Sequence, residues 1–211
     1  MNGRVVRQSE QPRASWAGGI TQALFAWPAA ALQSIRDAQA WAGTATIERD
    51  APYSYLPGLQ RVHMPISGNG LVLHFERSTE TTTLKRLQQH RFDGARPLHA
   101  HLIDGPVLAF NLLAHSDVTL DLGVLQVTPE RTRLTAGTQP ELHARLVQVV
   151  YVVSGTLTIE PAGEAPLALD AGDAYVLEQQ RQPGAAMYAA TSSEVVVATL
   201  ALPPAHAPQP V

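Results

Sequence analysis

Three groups of residues in this chain combine types and spacings that can do chemistry. The first is His99-Ala100-His101, followed by Asp104. Residues i and i+2 of a strand share a face, so both imidazoles can reach one ion. With a downstream carboxylate and a further histidine, such a pair makes a divalent-metal ligand set. The fourth ligand has no evident source, since Val107–Leu113 contains no histidine and His115 lies past its end. Asp104 also precedes Gly105-Pro106, where an aspartate serves a turn. His99 and His101 are therefore read as an exposed or structural pair, with no metal and no cofactor expected. A metal-dependent enzyme built on these two histidines, an oxygenase or isomerase, is the rival reading.

The second group runs from Glu48-Arg49-Asp50 through Tyr53 and Ser54 to Arg61. Recognition of a carboxylate needs a guanidinium for bidentate pairing and neutral donors to orient it. Arg61 follows a Pro57-Gly58 turn and begins an apolar strand, while Tyr53 and Ser54 offer hydroxyls nearby in sequence. The alternative is that Arg61 pairs with Glu48 or Asp50 and pins two strands together. The third group is Trp16, Gly18, Gly19 and Thr21. Backbone N–H groups around paired glycines can form an anion-binding nest, and a tryptophan can wall a pocket. Asn111 is polar inside an apolar run and must be satisfied if buried, by a turn or by a pocket. His63 and His74 lie in expected strands and are read as packed or surface residues. Phosphate-loop, dinucleotide, zinc-protease and serine-hydrolase signatures are all missing, so no reaction is named by motif.

These residues must be positioned by strands. Ile66-Ser67-Gly68-Asn69-Gly70-Leu71 and Val153-Ser154-Gly155-Thr156-Leu157 are two versions of one phrase, an apolar run into Ser-Gly and then an alternating strand. Short apolar segments recur between turn signals such as Asp50-Ala51-Pro52, Leu56-Pro57-Gly58, Asp104-Gly105-Pro106 and Asp170-Ala171-Gly172-Asp173. That pattern predicts an all-β sandwich or barrel containing a duplication. Ala29–Ala42 is alanine-rich and reads as a short helix or a loop with helical turns, with a strand over Thr44–Glu48. Pro129–Pro140 reads as a hinge. The expected division is an N-terminal barrel with its lead-in over 1–128, a C-terminal barrel over 129–202, and a proline-rich tail over 203–211, disordered or docked as an arm.

With 211 residues, 45% hydrophobic and 16% charged, the chain can bury a substantial core. A net charge of -3 gives no electrostatic reason to expect nucleic acid or an anionic membrane as partner. No apolar run approaches the roughly 20 residues that cross a bilayer, and no signal-peptide core follows the polar start, so a cytoplasmic location is expected. The absence of cysteine excludes disulfides and thiolate chemistry. Exposed sheet edges allow a homodimer.

The order of these segments resembles the HutD/Ves family of bacterial cupin-like proteins. The residues that carry it are Trp16 with Gly18, Gly19 and Thr21, then Trp41 ahead of Ile47-Glu48-Arg49-Asp50-Ala51-Pro52-Tyr53-Ser54, then Leu56-Pro57-Gly58-Leu59-Gln60-Arg61, Gly68-Asn69-Gly70-Leu71, and Leu102–Leu113. The C-terminal half matches as a generic cupin half, in Tyr151–Gly155 and Leu169–Ala174. The resemblance implies a bicupin, two jelly-roll-like β-barrels in one chain, and a regulatory link to bacterial histidine utilisation with a small carboxylate as ligand. One departure stands out. Ala17 occupies the place of a family lysine, and the family's asparagine is missing from a shortened loop. The reading is then a metal-free protein that binds a small anionic metabolite. Arg61 anchors the carboxylate, Ser54 and the Gly18-Gly19 backbone donate, Trp16 forms a wall, and Thr21, Glu48 and Asn111 complete the site. A scaffold with a vestigial pocket is the remaining alternative.

Overall fold

A computed structural model describes residues 2–134, 145–179 and 185–203. The expected tail beyond Pro203 and the second half of the expected hinge fall outside the described residues. Among those described, the chain is nineteen strands and three short 3-10 turns. In chain order the strands are β1 (Asn2–Val6), β2 (Arg13–Trp16), β3 (Gly19–Trp27), β4 (Ala40–Ile47), β5 (Ala51–Pro52), β6 (Leu59–Ser67), β7 (Leu71–Phe75), β8 (Thr81–Leu84), β9 (His90–Asp93), β10 (Leu98–Leu102) and β11 (Val107–His115). They continue with β12 (Thr119–Val127), β13 (Thr132–Arg133), β14 (Arg145–Ser154), β15 (Thr156–Glu160), β16 (Leu167–Asp170), β17 (Ala174–Gln179), β18 (Ala186–Tyr188) and β19 (Ser193–Leu202). No helix among the described residues is long and apolar enough to cross a membrane.

The chain divides into two compact units, Gln11–Ser116 and Met1–Glu10 with Asp117–Val211. The division therefore differs from the one expected at residue 128. β12 belongs to the later unit because it pairs with β19 along its whole length, from Thr119 opposite Ala201 to Val127 opposite Ser193. β1 belongs there too, pairing with β17 from Asn2 opposite Glu178 to Val6 opposite Ala174. Within this unit Asp173 accepts hydrogen bonds from the Arg7 guanidinium at 2.7 Å and the Gln8 N–H at 2.9 Å, which fixes the chain just after β1.

Each unit holds two sheets. Gln11–Ser116 has a six-stranded sheet, ordered β2-β3-β4-β11-β6-β9, and a four-stranded sheet, ordered β5-β10-β7-β8. The other unit has a five-stranded sheet, ordered β1-β17-β14-β19-β12, and a four-stranded sheet, ordered β13-β18-β15-β16. All four sheets are open, so what was expected as two barrels is seen as two open two-sheet sandwiches. The strand orders superimpose if β4 to β11 are read as β12 to β19. Even the irregularities correspond: the β6–β11 ladder shifts register at Leu108/Ala109, and the β14–β19 ladder shifts between Val152 and Ser154. The repeated Ser-Gly phrase marks the same event in both copies, where the chain leaves the large sheet for the small one. Gly68 and Gly155 stand there at φ 90° and 82°, a conformation that favours glycine.

The alanine-rich stretch follows the expected loop with helical turns up to Asp37, and the correction lies at its end, where β4 begins at Ala40 and not at Thr44. Ala29–Gln33 and Ile35–Asp37 are 3-10 turns, and Trp41 and Ala42 already belong to β4. β4 is hydrogen-bonded on both sides, to β3 and to β11, and Ala40 and Ala42 are fully buried. Ladder pairing and burial outweigh alanine's helical preference, which is the highest of any residue but small per residue.

Candidate functional site

Strand period and register assemble one polar group within the unit Gln11–Ser116. Arg61 and His63 are i and i+2 on β6, so they share a face. Across the ladder His63 stands opposite Asn111 of β11, and Asn111 stands opposite Gly43 of β4. One row along, Arg61 faces Leu113, and Leu113 faces Trp41. Tyr53 follows β5 and is tied by its N–H to the Leu98 carbonyl at 2.9 Å. These side chains line a cavity of about 430 Å³, together with Trp16, Thr21, Ser54, Leu56 and Ile35 among others. Arg36, also part of the wall, donates to the Tyr55 carbonyl at 3.1 Å.

The polar residues form a connected chain. Asn111 Oδ1 lies 2.7 Å from His63 Nδ1 and 3.5 Å from Arg61 Nη2. A guanidinium only donates, so an Asn111 amide turned the other way would set donor against donor. Asn111 Oδ1 is therefore the acceptor for both, and His63 carries its proton on Nδ1. His63 Nε2 is then an acceptor, and the Tyr53 O–H donates to it across 3.1 Å. Burial pushes the His63 pKa down to about 3, only partly opposed by its bond to Asn111, so the ring is neutral at physiological pH. Burial raises the Tyr53 pKa, with the Arg61 charge acting in the opposite direction, so the phenol keeps its proton.

Arg61 carries the main electrostatic feature. It is 9% exposed, its Nε has no hydrogen-bond partner, and no carboxylate pairs with it among the described residues. Burial pushes its pKa down to about 10, still well above neutrality. Its charge lies 4.8 Å from the Tyr53 ring centroid and 5.2 Å from that of Phe92, cation–π contacts that offset part of the desolvation cost. No Asp or Glu lines the cavity. The Trp16 indole N–H is likewise buried without a partner, while its ring meets Tyr53 edge-on at 5.4 Å. A cavity walled by the Arg61 and Arg36 guanidinium groups, with no acidic residue in its lining, suits an acceptor-rich anion.

Five residues singled out from sequence therefore line one cavity: Trp16, Thr21, Ser54, Arg61 and Asn111. Gly18, Gly19 and Glu48 lie elsewhere. Ala17 and Gly18 are the turn of the β2–β3 hairpin, in which Trp16 pairs with Gly19, and the Gly18 carbonyl accepts from the Glu48 N–H at 2.8 Å. The glycines permit close approach: a Cβ on Gly19 would sit 2.0 Å from the Thr46 carbonyl oxygen, and one on Gly18 2.4 Å from the Trp16 ring. Glu48 stands just past the end of β4, exposed, with Arg49 Nη2 at 3.5 Å. Asp50 does not pair with Arg61 either; it accepts from the Leu102 N–H at 2.8 Å and lies 2.9 Å from His101 Nδ1.

His99 and His101 stack at 5.2 Å between centroids. Their carboxylate neighbour is Asp50, whereas Asp104 takes a contact from Asn69. Among the described residues, no three metal-ligating side chains converge.

His63 is the polar cavity residue that sequence reading left outside the site, and Arg61 two positions earlier was the signal for it. Trp41 and Arg36 were masked by the helical look of the alanine-rich stretch. The duplication also explains why one half carries the polar set. Residues equivalent to Tyr53, Arg61, His63 and Asn111 are Leu134, Gln148, Val150 and Val197, as the paired registers of β5–β10–β7, β6–β11 and their counterparts require. Leu134 and Val150 belong to the apolar core of their unit, and Val197 packs against it.

Asn111→Asp tests this arrangement. A carboxylate in that place would give Arg61 an internal partner, so anion binding is expected to fall at least about tenfold. The His63 pKa should rise from its depressed value, as followed by NMR titration of the imidazole.

Two-sheet units of this topology define a cupin-like β protein. The chain belongs to the HutD family, whose family model matches residues 8–197. HutD from Pseudomonas fluorescens SBW25, solved in a formate condition, is 20% identical with a TM-score of 0.69, covering 94% of this chain and 99% of that one. PA5104 from Pseudomonas aeruginosa PAO1, a conserved protein of unknown function, is 20% identical with a TM-score of 0.75, covering 95% and 99%. A formate complex of Lactobacillus farciminis oxalate decarboxylase shares the fold at 9% identity and a TM-score of 0.63, covering 94% and 86%. No curated protein matches the chain.

Proposed function

We propose that this protein is a cytoplasmic, metal-free bicupin that binds a small carboxylate and serves a regulatory role in histidine utilisation. The observation that carries the binding reading is Arg61, a buried guanidinium without a carboxylate partner among the described residues, facing a cavity with no acidic wall. Holding such a charge costs stability, and a ligand carboxylate would supply the missing partner. The repeated eight-strand order supports the bicupin reading. Family membership supports the link to histidine utilisation.

Thermal denaturation of metal-stripped protein checks this reading. Small carboxylates should raise the midpoint in proportion to log concentration, because selective binding to the folded state stabilises it by mass action. Chloride at equal ionic strength should not. Stabilisation by divalent iron, manganese or zinc alone, lost on changing His99 and His101, would overturn the reading in favour of a metal-dependent cupin.

A further inference from the structure

The hydrogen-bond chain sets a polarity along the cavity wall, and that polarity has a consequence for the ligand. At one end Arg61, which lines the cavity, offers only donors. Its contact to Asn111 Oδ1 at 3.5 Å selects the amide orientation, and the 2.7 Å contact to His63 selects the ring tautomer. His63 Nε2 then takes the one proton of Tyr53 at 3.1 Å. A phenol whose proton is so committed retains its acceptor lone pairs. Tyr53 lines the same cavity as Arg61, and the guanidinium lies 4.8 Å from the centre of its ring. The wall thus carries donors at Arg61 and an acceptor at Tyr53.

The geometry points to a ligand class narrower than carboxylates at large: a carboxylate bearing its own O–H or N–H donor. The carboxylate would sit on Arg61 and the donor on the Tyr53 oxygen. This rests on the proposed carboxylate site and adds to it a requirement that a guanidinium alone would not impose. A plain alkyl acid would satisfy Arg61 and leave the Tyr53 oxygen without a new partner. An O-methylated analogue would bring oxygen lone pairs against oxygen lone pairs.

Titration of the full chain, followed by tryptophan fluorescence since Trp16 and Trp41 line the cavity, can test this. The probes are glycolate against methoxyacetate and 3-hydroxypropanoate against 3-methoxypropanoate at fixed ionic strength, with acetate as reference. In the unaltered protein at least one hydroxy acid should bind about fivefold more tightly than its ether, the worth of one neutral hydrogen bond. In Tyr53→Phe that ratio should fall to about one, whatever the change in acetate affinity. Equal binding of ethers and hydroxy acids in the unaltered protein would overturn the donor requirement while leaving the carboxylate site standing. Discrimination that survives in Tyr53→Phe would overturn the assignment to Tyr53. Failure of every carboxylate, acetate included, would remove the site itself.

Discussion

Replacing Arg61 with methionine should abolish carboxylate binding and at the same time raise the stability of the free protein. The two effects separate a binding residue from a structural one. A guanidinium buried without a carboxylate partner has given up its hydration for two aromatic faces and one long contact to Asn111. Methionine keeps much of the aliphatic stem and removes the charge. Even buried charges that have ionic partners can often be replaced by apolar residues with no loss, or with a gain of about 1–4 kcal/mol, and Arg61 has no such partner among the described residues. Binding moves the other way: removing one partner of a buried charge pair costs about 2–5 kcal/mol, or a loss of about 30-fold or more. Chemical denaturation and ligand titration of the same variant measure both. A variant that loses stability by several kcal/mol would mark Arg61 as a structural cross-link and undo the functional assignment.

Stability should fall with acidification well above the carboxylate range, because of His63. Its pKa is about 3 in the folded chain, driven down by burial, against about 6.5 when unfolded. A depressed histidine binds its proton more readily in the unfolded state. Stability is therefore complete above pH 6.5 and is lost progressively as pH falls toward 3, by up to about 1.4 kcal/mol per pH unit from this one group. Asp173 adds to the decline at the acid end. Burial alone would raise its pKa, but hydrogen bonds from the Gln8 N–H, Arg7 and the Asp170 N–H hold it below the usual value. In His63→Gln the difference from the parent protein should shrink steadily from pH 7 to pH 4. Parallel curves for the two proteins would mean that His63 titrates normally and that the cavity wall is wet.

Much of the fold was legible because the physics is local. Alternating apolar residues in Leu71–Phe75 and Leu120–Val127 report strands directly, and Ser-Gly at 67–68 and 154–155 reports a turn that requires left-handed backbone. What was illegible depends on distant pairing. Nothing in Asn2–Val6 announces a partner near residue 176, and no local signal says that β12 joins β19. Trp41 and Ala42 have a helical composition, and only two flanking strands make them extended. The site divides in the same way. Arg61, Asn111 and Trp16 stood out as polar or aromatic residues in unusual settings, whereas His63 matters because register sets it against Asn111. Glu48 was drawn into the site by its neighbours in sequence, although the end of β4 leaves it exposed.

A crystal structure of the full chain soaked in concentrated acetate, compared with one soaked in chloride, would test the central claim most directly. A carboxylate should then appear in the cavity of the Gln11–Ser116 unit within hydrogen-bond distance of the Arg61 guanidinium, and none in crystals of Arg61→Met. Acetate found only on exposed arginines, with Arg61 still unpartnered, would contradict it.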